Sequence, residues 1–292
     1  MSFWKHRKKK HQNRNYSIEN NFKFNETINM NNNLYPMIFK RKSYHTFKDT
    51  KTKRYYSEDY HISDEEYEAI KTAFLSFEPL YPDIHVEMRF IDNDETTCKR
   101  GQEKVIGLYS EVKDNYLMNI GYIGEQLDLY LASMNIGTLW FGLNKAEMPD
   151  YHGLKYVIMI AICKVPEHSF RKDMFKSKRK NIDEIWKGES MDGVTDIVRF
   201  APSACNTQPW IIDHEDDCLI VFRYKSPKRK WVMPVEGVVH FNHIDIGIFL
   251  CFLELCLNHE NIKFERELFI DNKNEEMNLA AKYKLFPVLA PG

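Results

Sequence analysis

The ten residues Ala201-Pro-Ser-Ala-Cys-Asn-Thr-Gln-Pro-Trp210 constrain this chain more than any other stretch. Pro202 and Pro209 restrain the backbone, and Ala201, Ser203 and Ala204 are small enough to let main-chain groups approach a flat ligand closely. Ser203, Asn206 and Gln208 supply donors and acceptors without net charge. Val198 and Phe200 precede the segment and Ile211 and Ile212 follow it, so it joins two apolar elements and is itself a loop. The plain alternative is a Pro-bracketed connection from helix to strand.

Around this loop the chain reads as alternating helices and strands. Ser63 and Glu66 form a capping-box pattern ahead of a helix running to about Phe74. Ile84 to Ile91 alternates like a half-buried strand. Leu117, Ile120, Ile123, Leu127, Leu131 and Met134 recur at helical spacing from Tyr116 to Met134, with Gly137 expected as a left-handed cap. Tyr156 to Cys163 is a continuous apolar run, expected as a buried strand. The second half adds a helix at Asp192 to Phe200, strands at Trp210 to Asp213 and Leu219 to Tyr224, and a helix from about Asp245 to Leu257.

The loop resembles the FMN-binding loop of the nitroreductase-like flavoproteins, matched at Ala201, Pro202, Ser203, Ala204, Asn206, Gln208, Pro209 and Trp210. Two further stretches are similar to motifs of that family. Phe39 to Phe47 places Arg41, Lys42 and Ser43 where the family has its phosphate-binding Arg-Arg-Ser signature, with Phe47 matching and His45 standing where a cation is usual. Gly137-Thr-Leu-Trp-Phe-Gly142 resembles a turn at the reactive edge of the flavin. The resemblance implies that main-chain N–H groups of Thr138, Leu139 and Trp140 neighbour the flavin N5, that Lys178 and Arg179 close on the phosphate, and that Arg100 reaches the pyrimidine end. It also implies an α+β, nitroreductase-like fold with a central, mainly antiparallel sheet flanked by helices.

The order of elements repeats within the chain. Phe77-Glu-Pro79 and Phe200-Ala-Pro202 are 123 positions apart, as are Asn119, Gly124 and Leu127 from Asn242, Gly247 and Leu250. An internal pseudo-two-fold is therefore expected, with intertwined halves at residues 34–175 and 176–292 after a basic, Asn-rich, disordered arm at 1–33. Family members are usually homodimers, so one chain here would supply both halves of an interface, as a monomer or within a higher oligomer. The bulkier Glu78-Pro-Leu-Tyr81 in the first half implies that only one flavin site survives, hence one FMN per chain.

The implied function is FMN-dependent reduction of a nitroaromatic, a quinone or a similar small acceptor, with NADH or NADPH as donor. The alternative is a non-catalytic FMN-binding sensor with a basic arm. A formal net charge of −1 gives no global attraction to nucleic acid or membrane, which leaves only the arm as a local anionic tether. Six cysteines without disulfide or zinc spacing read as free thiols of a reducing compartment, and with no secretory signal in the basic start a cytoplasmic location is the default expectation. His240, His243 and Asp245 form a weak metal-site pattern, no resident metal is expected, and Cys205 lacks a recognisable base.

Overall fold

The computed structural model describes residues 30–142, 148–224, 235–271 and 276–286. Residues 1–29 of the expected arm lie outside them, and Met30 to Asn33 open a helix instead. In chain order the elements are α1 (Met30–Lys40), α2 (Asp64–Phe74), β1 (Val86–Ile91), β2 (Lys104–Ser110), α3 (Tyr116–Ser133), β3 (Ile136–Phe141), β4 (Asp150–Tyr151) and β5 (Leu154–Lys164). They continue with α4 (Ile182–Ile185), β6 (Trp186–Gly188), α5 (Thr195–Val198), β7 (Trp210–Glu215), β8 (Cys218–Tyr224), α6 (Val235–His259), β9 (Lys263–Leu268) and β10 (Met277–Phe286).

The α+β expectation holds, and the pairing is mainly antiparallel. The strands form two sheets, one in each half. The first runs β1-β2-β5-β3, with β4 folded back on β5; the second runs β7-β8-β10-β9, with β6 added in parallel beside β7. Both sheets thus place the fourth main strand between the second and third. The continuous apolar run predicted at Tyr156 lies in β5, a central strand buried on both faces.

Local chemistry explains where several elements begin and end. Ser63 Oγ accepts the Glu66 N–H at 3.2 Å, Glu66 returns a bond to the Ser63 N–H at 3.0 Å, and three acidic residues fill the first turn of α2. Asn135 ends α3 in the left-handed conformation, φ 57°, and Asn261 follows α6 with φ 58°. The cap is therefore Asn135, two residues before the expected Gly137. Gly137 lies inside β3, where a Cβ would press on the Tyr44 ring at 2.8 Å, so its lack of a side chain permits close packing rather than a turn.

Helices α3 and α6 cross at the centre. A Cβ on Gly121 would collide with the Ile244 carbonyl, and one on Gly247 with the Met118 carbonyl, so both backbones come into direct contact. This pair of contacts relates the helices at a spacing of 126, as do Asn135 and Asn261. The loops keep the spacing of 123: the Tyr81 N–H donates to Asn119 at 3.1 Å and the Ala204 N–H to Asp245 at 2.9 Å. Asn119, Gly121 and Leu127 therefore correspond to Asp245, Gly247 and Leu253. The helix pairings expected at 123 are three residues out of register, because the second half carries three more residues between loop and helix. Residues His240–His259 of α6 are long and apolar enough by composition to cross a membrane, and 94% of the 18-residue apolar window within them is buried in the protein as core.

Candidate functional site

The first part of the site assembles around Asp128, buried on α3. Arg41 follows α1, and its guanidinium, 2% exposed, donates to Asp128 at 2.8 Å and to Ser43 Oγ at 3.2 Å. Asp128 also accepts from the Thr138 hydroxyl at 2.5 Å and the Trp140 indole at 2.9 Å. Ser43 pairs with Thr138 in a short parallel bridge, closed by the Tyr44 N–H on the Thr138 carbonyl at 2.9 Å. The Arg41 signature and the Gly137 motif, far apart in sequence, thus meet through one carboxylate. Burial opposes the charge on Arg41, but Asp128 and Glu125 outweigh it and hold the group protonated.

The second part is the Ala201–Trp210 loop. Trp210 is fully buried and stacks on Phe249 at 4.9 Å, which anchors its end. Ser203 Oγ accepts the Gln208 N–H at 3.0 Å, and Gln208 Oε1 accepts the Lys180 N–H at 2.9 Å. Asn206 Oδ1 takes a bond from Arg179 at 3.1 Å, while its amide donates to the Lys178 carbonyl at 3.2 Å. Cys205, Asn206 and Gln208 all have positive φ, 51°, 55° and 49°. Such backbone is uncommon outside glycine and is held here by this network. Beneath the loop, burial pushes the Asp245 carboxyl up to about 8, against the pull of the Ala204 N–H and the Thr207 hydroxyl.

Four arginines join the two parts. Arg179 also donates to the Phe200 carbonyl at 3.0 Å, and Arg199 lies over the Phe200 ring at 5.0 Å. The Arg171 main chain bonds the Lys40 carbonyl at 3.2 Å, beside the signature. Burial first, then Arg171, Arg41 and Arg199, push Arg179 down to about 10; burial and Arg41 push Arg171 down to about 10. Nε of Arg41, Arg179 and Arg199 are buried without a hydrogen-bond partner. Glu125 lies 3.8 Å from Arg41 Nε, and burial and the Asp128 charge hold its carboxyl well above the ordinary range. A dianionic phosphate suits this environment: clustered arginines and buried Nε donors without a hydrogen bond.

The other predicted residues divide. Lys42 donates to the Ser169 carbonyl at 2.9 Å, near Arg171, whereas His45 and the Lys178 side chain are exposed. Pro202 and Ala204 are half-buried in the loop, and Arg100 lies over the Phe141 ring at 5.0 Å, at the end of β3. His243 faces Asp271 at 3.3 Å, Asp245 binds the loop, and no three His, Cys, Asp or Glu among the described residues could hold a metal. The sequence reading missed Arg171, Arg199 and Asp128. Arg171 belongs to a charge run read only at its other end, and Asp128 is hidden in the apolar face of α3.

No curated protein matches this chain. Among solved structures, a nitroreductase described as "putative", from Thermotoga maritima, covers 93% of this chain and 100% of its own at 16% identity, with a TM-score of 0.55, and so shares the fold. An NADH dehydrogenase/NAD(P)H nitroreductase from Parabacteroides distasonis covers 55% of this chain and 98% of its own, at 12% identity and a TM-score of 0.38. A nitroreductase in complex with FMN, from Desulfovibrio desulfuricans, covers 54% and 97%, at 14% identity and 0.37. A family model described as "Putative TM nitroreductase" matches residues 33–257, well over half of the chain, and the protein belongs to that nitroreductase family.

Proposed function

We propose that this protein is an FMN-dependent oxidoreductase that takes electrons from NADH or NADPH and passes them to a nitroaromatic, a quinone or a similar small acceptor. The observation that carries the cofactor is the cluster of Arg41, Arg171 and Arg199 around Arg179, close enough to push its pKa down, with three buried Nε donors lacking a hydrogen bond. Family membership supports the electron-transfer role. When bound, FMN supplies acceptance of a hydride and delivery of electrons to a second substrate.

The chain's own part is to bind and orient. The arginines hold the phosphate, Asp128 fixes Arg41, and the network from Ser203 to Gln208 keeps the loop rigid. Main-chain N–H groups from Thr138 to Trp140 are assigned to the reactive edge of the ring, and Arg100 to its pyrimidine end. The matching sheet orders and the paired contacts of Gly121 and Gly247 support a fused pseudo-dimer that needs no second chain to complete the site. One flavin per chain is expected, because Glu78 stands where the second loop has Ala201.

The test is the visible spectrum of the purified protein, with the released chromophore counted per chain, followed by oxidation of NADH and NADPH with an added acceptor. One FMN per chain with turnover supports the proposal. FMN without turnover leaves the sensor reading, two per chain removes the single-site claim, and no chromophore with no uptake of added FMN overturns the cofactor.

A further inference from the structure

The spacing of 126 that relates the central helices places Glu254 of α6 opposite Asp128 of α3. Their partners differ. Asp128 binds the Arg41 signature, whereas Glu254 accepts from Arg266 at 2.6 Å, Tyr283 at 2.7 Å and Tyr122 at 2.7 Å. Beside Glu254 lies a cavity of about 430 Å³ lined by Glu78, Tyr122, Glu254, Asn258, Phe264 and Arg266. Both halves contribute to it, and its size is that of a small-molecule site. Glu78 there matches Ala201 of the second-half loop at the loop spacing, so the cavity occupies the mirror position of the candidate flavin site.

Its chemistry is different. The flavin side gathers four arginines, while this side has one, already paired with a carboxylate, together with a second acidic residue. A dianion is disfavoured. Three donors fill the Glu254 oxygens, so recognition falls to its neighbours. Arg266 gives one Nη to Glu254 and retains its other N–H groups, Asn258 adds an amide, and Glu78 adds an exposed carboxylate. Phe264 and Tyr122 supply aromatic surface.

We propose that this cleft binds a small zwitterion of amino-acid size, with its carboxylate on Arg266 and Asn258, its ammonium on Glu78, and its apolar part against Phe264 and Tyr122. It is a second site, separate from the flavin and independent of turnover.

The full-length protein as purified is titrated calorimetrically with a panel of free L-amino acids, with acetate and butylamine as single-charge controls. The expected result is saturable binding of at least one amino acid, weakened about tenfold or more by Glu78→Gln and by Asn258→Ala, with neither control competing. Glu78 is exposed, so the fold of its variant is retained, as circular dichroism checks. No saturable binding across the panel, binding of acetate or butylamine as tight as that of any amino acid, or full affinity in both variants overturns the proposal.

Discussion

Arg41 and Asp128 form an ion pair at 2.8 Å with 2% and 0% of their side chains exposed, and through it the first segment of the fold is tied to the central helix. Removing one member strands the other in a place without water. Asp128→Ala is expected to cost about 3–5 kcal/mol of unfolding free energy, since the Arg41 charge stays buried and Thr138 and Trp140 lose their acceptor. Denaturant titration of wild type and variant measures it; a loss within the ordinary range for a surface change would show that the pair does not anchor the fold.

Arg171 and Arg179 are expected to oppose stability while supporting ligand binding. Each is pushed down to about 10 by burial and other arginines, so below that pH both stay charged, and carrying that charge costs the folded state relative to the unfolded one. Arg171→Gln should leave the flavin-free protein at least as stable as wild type while weakening FMN binding about tenfold or more. Fluorescence titration of FMN against each apoprotein reads the affinity, and calorimetric melting reads the stability. A variant that melts much lower but binds FMN normally would assign Arg171 to structure instead.

Asp245 predicts a pH dependence. Its carboxyl titrates near 8 in the folded protein, above the ordinary unfolded value of about 4, so folding favours its protonated form. The contribution is fully present below pH 4 and falls as pH rises through the window up to 8. Asn119 already holds the matching loop at Tyr81 by the same bond, so Asp245→Asn should keep the loop contact and remove the titration. The variant should gain on wild type by a few kcal/mol between pH 5 and 8, a size set by about 1.4 kcal/mol per pH unit. Parallel stability–pH profiles for the two proteins would contradict this.

The crossing of α3 and α6 leaves no room for a methyl group. Gly121→Ala and Gly247→Ala should each destabilise by about 1–3 kcal/mol, because the obstructing atoms are backbone carbonyls that cannot turn aside as a flexible side chain would. Similar losses in the two single variants are expected from the paired geometry. A neutral result at either glycine would mean that the helices separate at little cost, and the two backbones would then not be the core of the interface between halves.

What the residues alone determined is local. The capping box at Ser63, the helix at Tyr116 and the apolar strand at Tyr156 depend on neighbours a few positions away, as does the Pro-bracketed loop at 201–210, so their patterns survive in the linear chain. Strands β9 and β10 gave weaker signals: β9 is an edge strand that alternates Lys263, Glu265 and Glu267 with half-buried residues. The turn expected at Gly137 became a strand, because Asn135 had already ended the helix and the Tyr44 ring needed the space. Tertiary structure alone decided that Arg41, Arg171, Arg179 and Arg199 meet, that Asp128 joins two distant motifs, and that the helices match at 126 rather than 123. Charge repulsion, desolvation and close backbone approach act between atoms near in space, and no local spacing records which distant residues those will be.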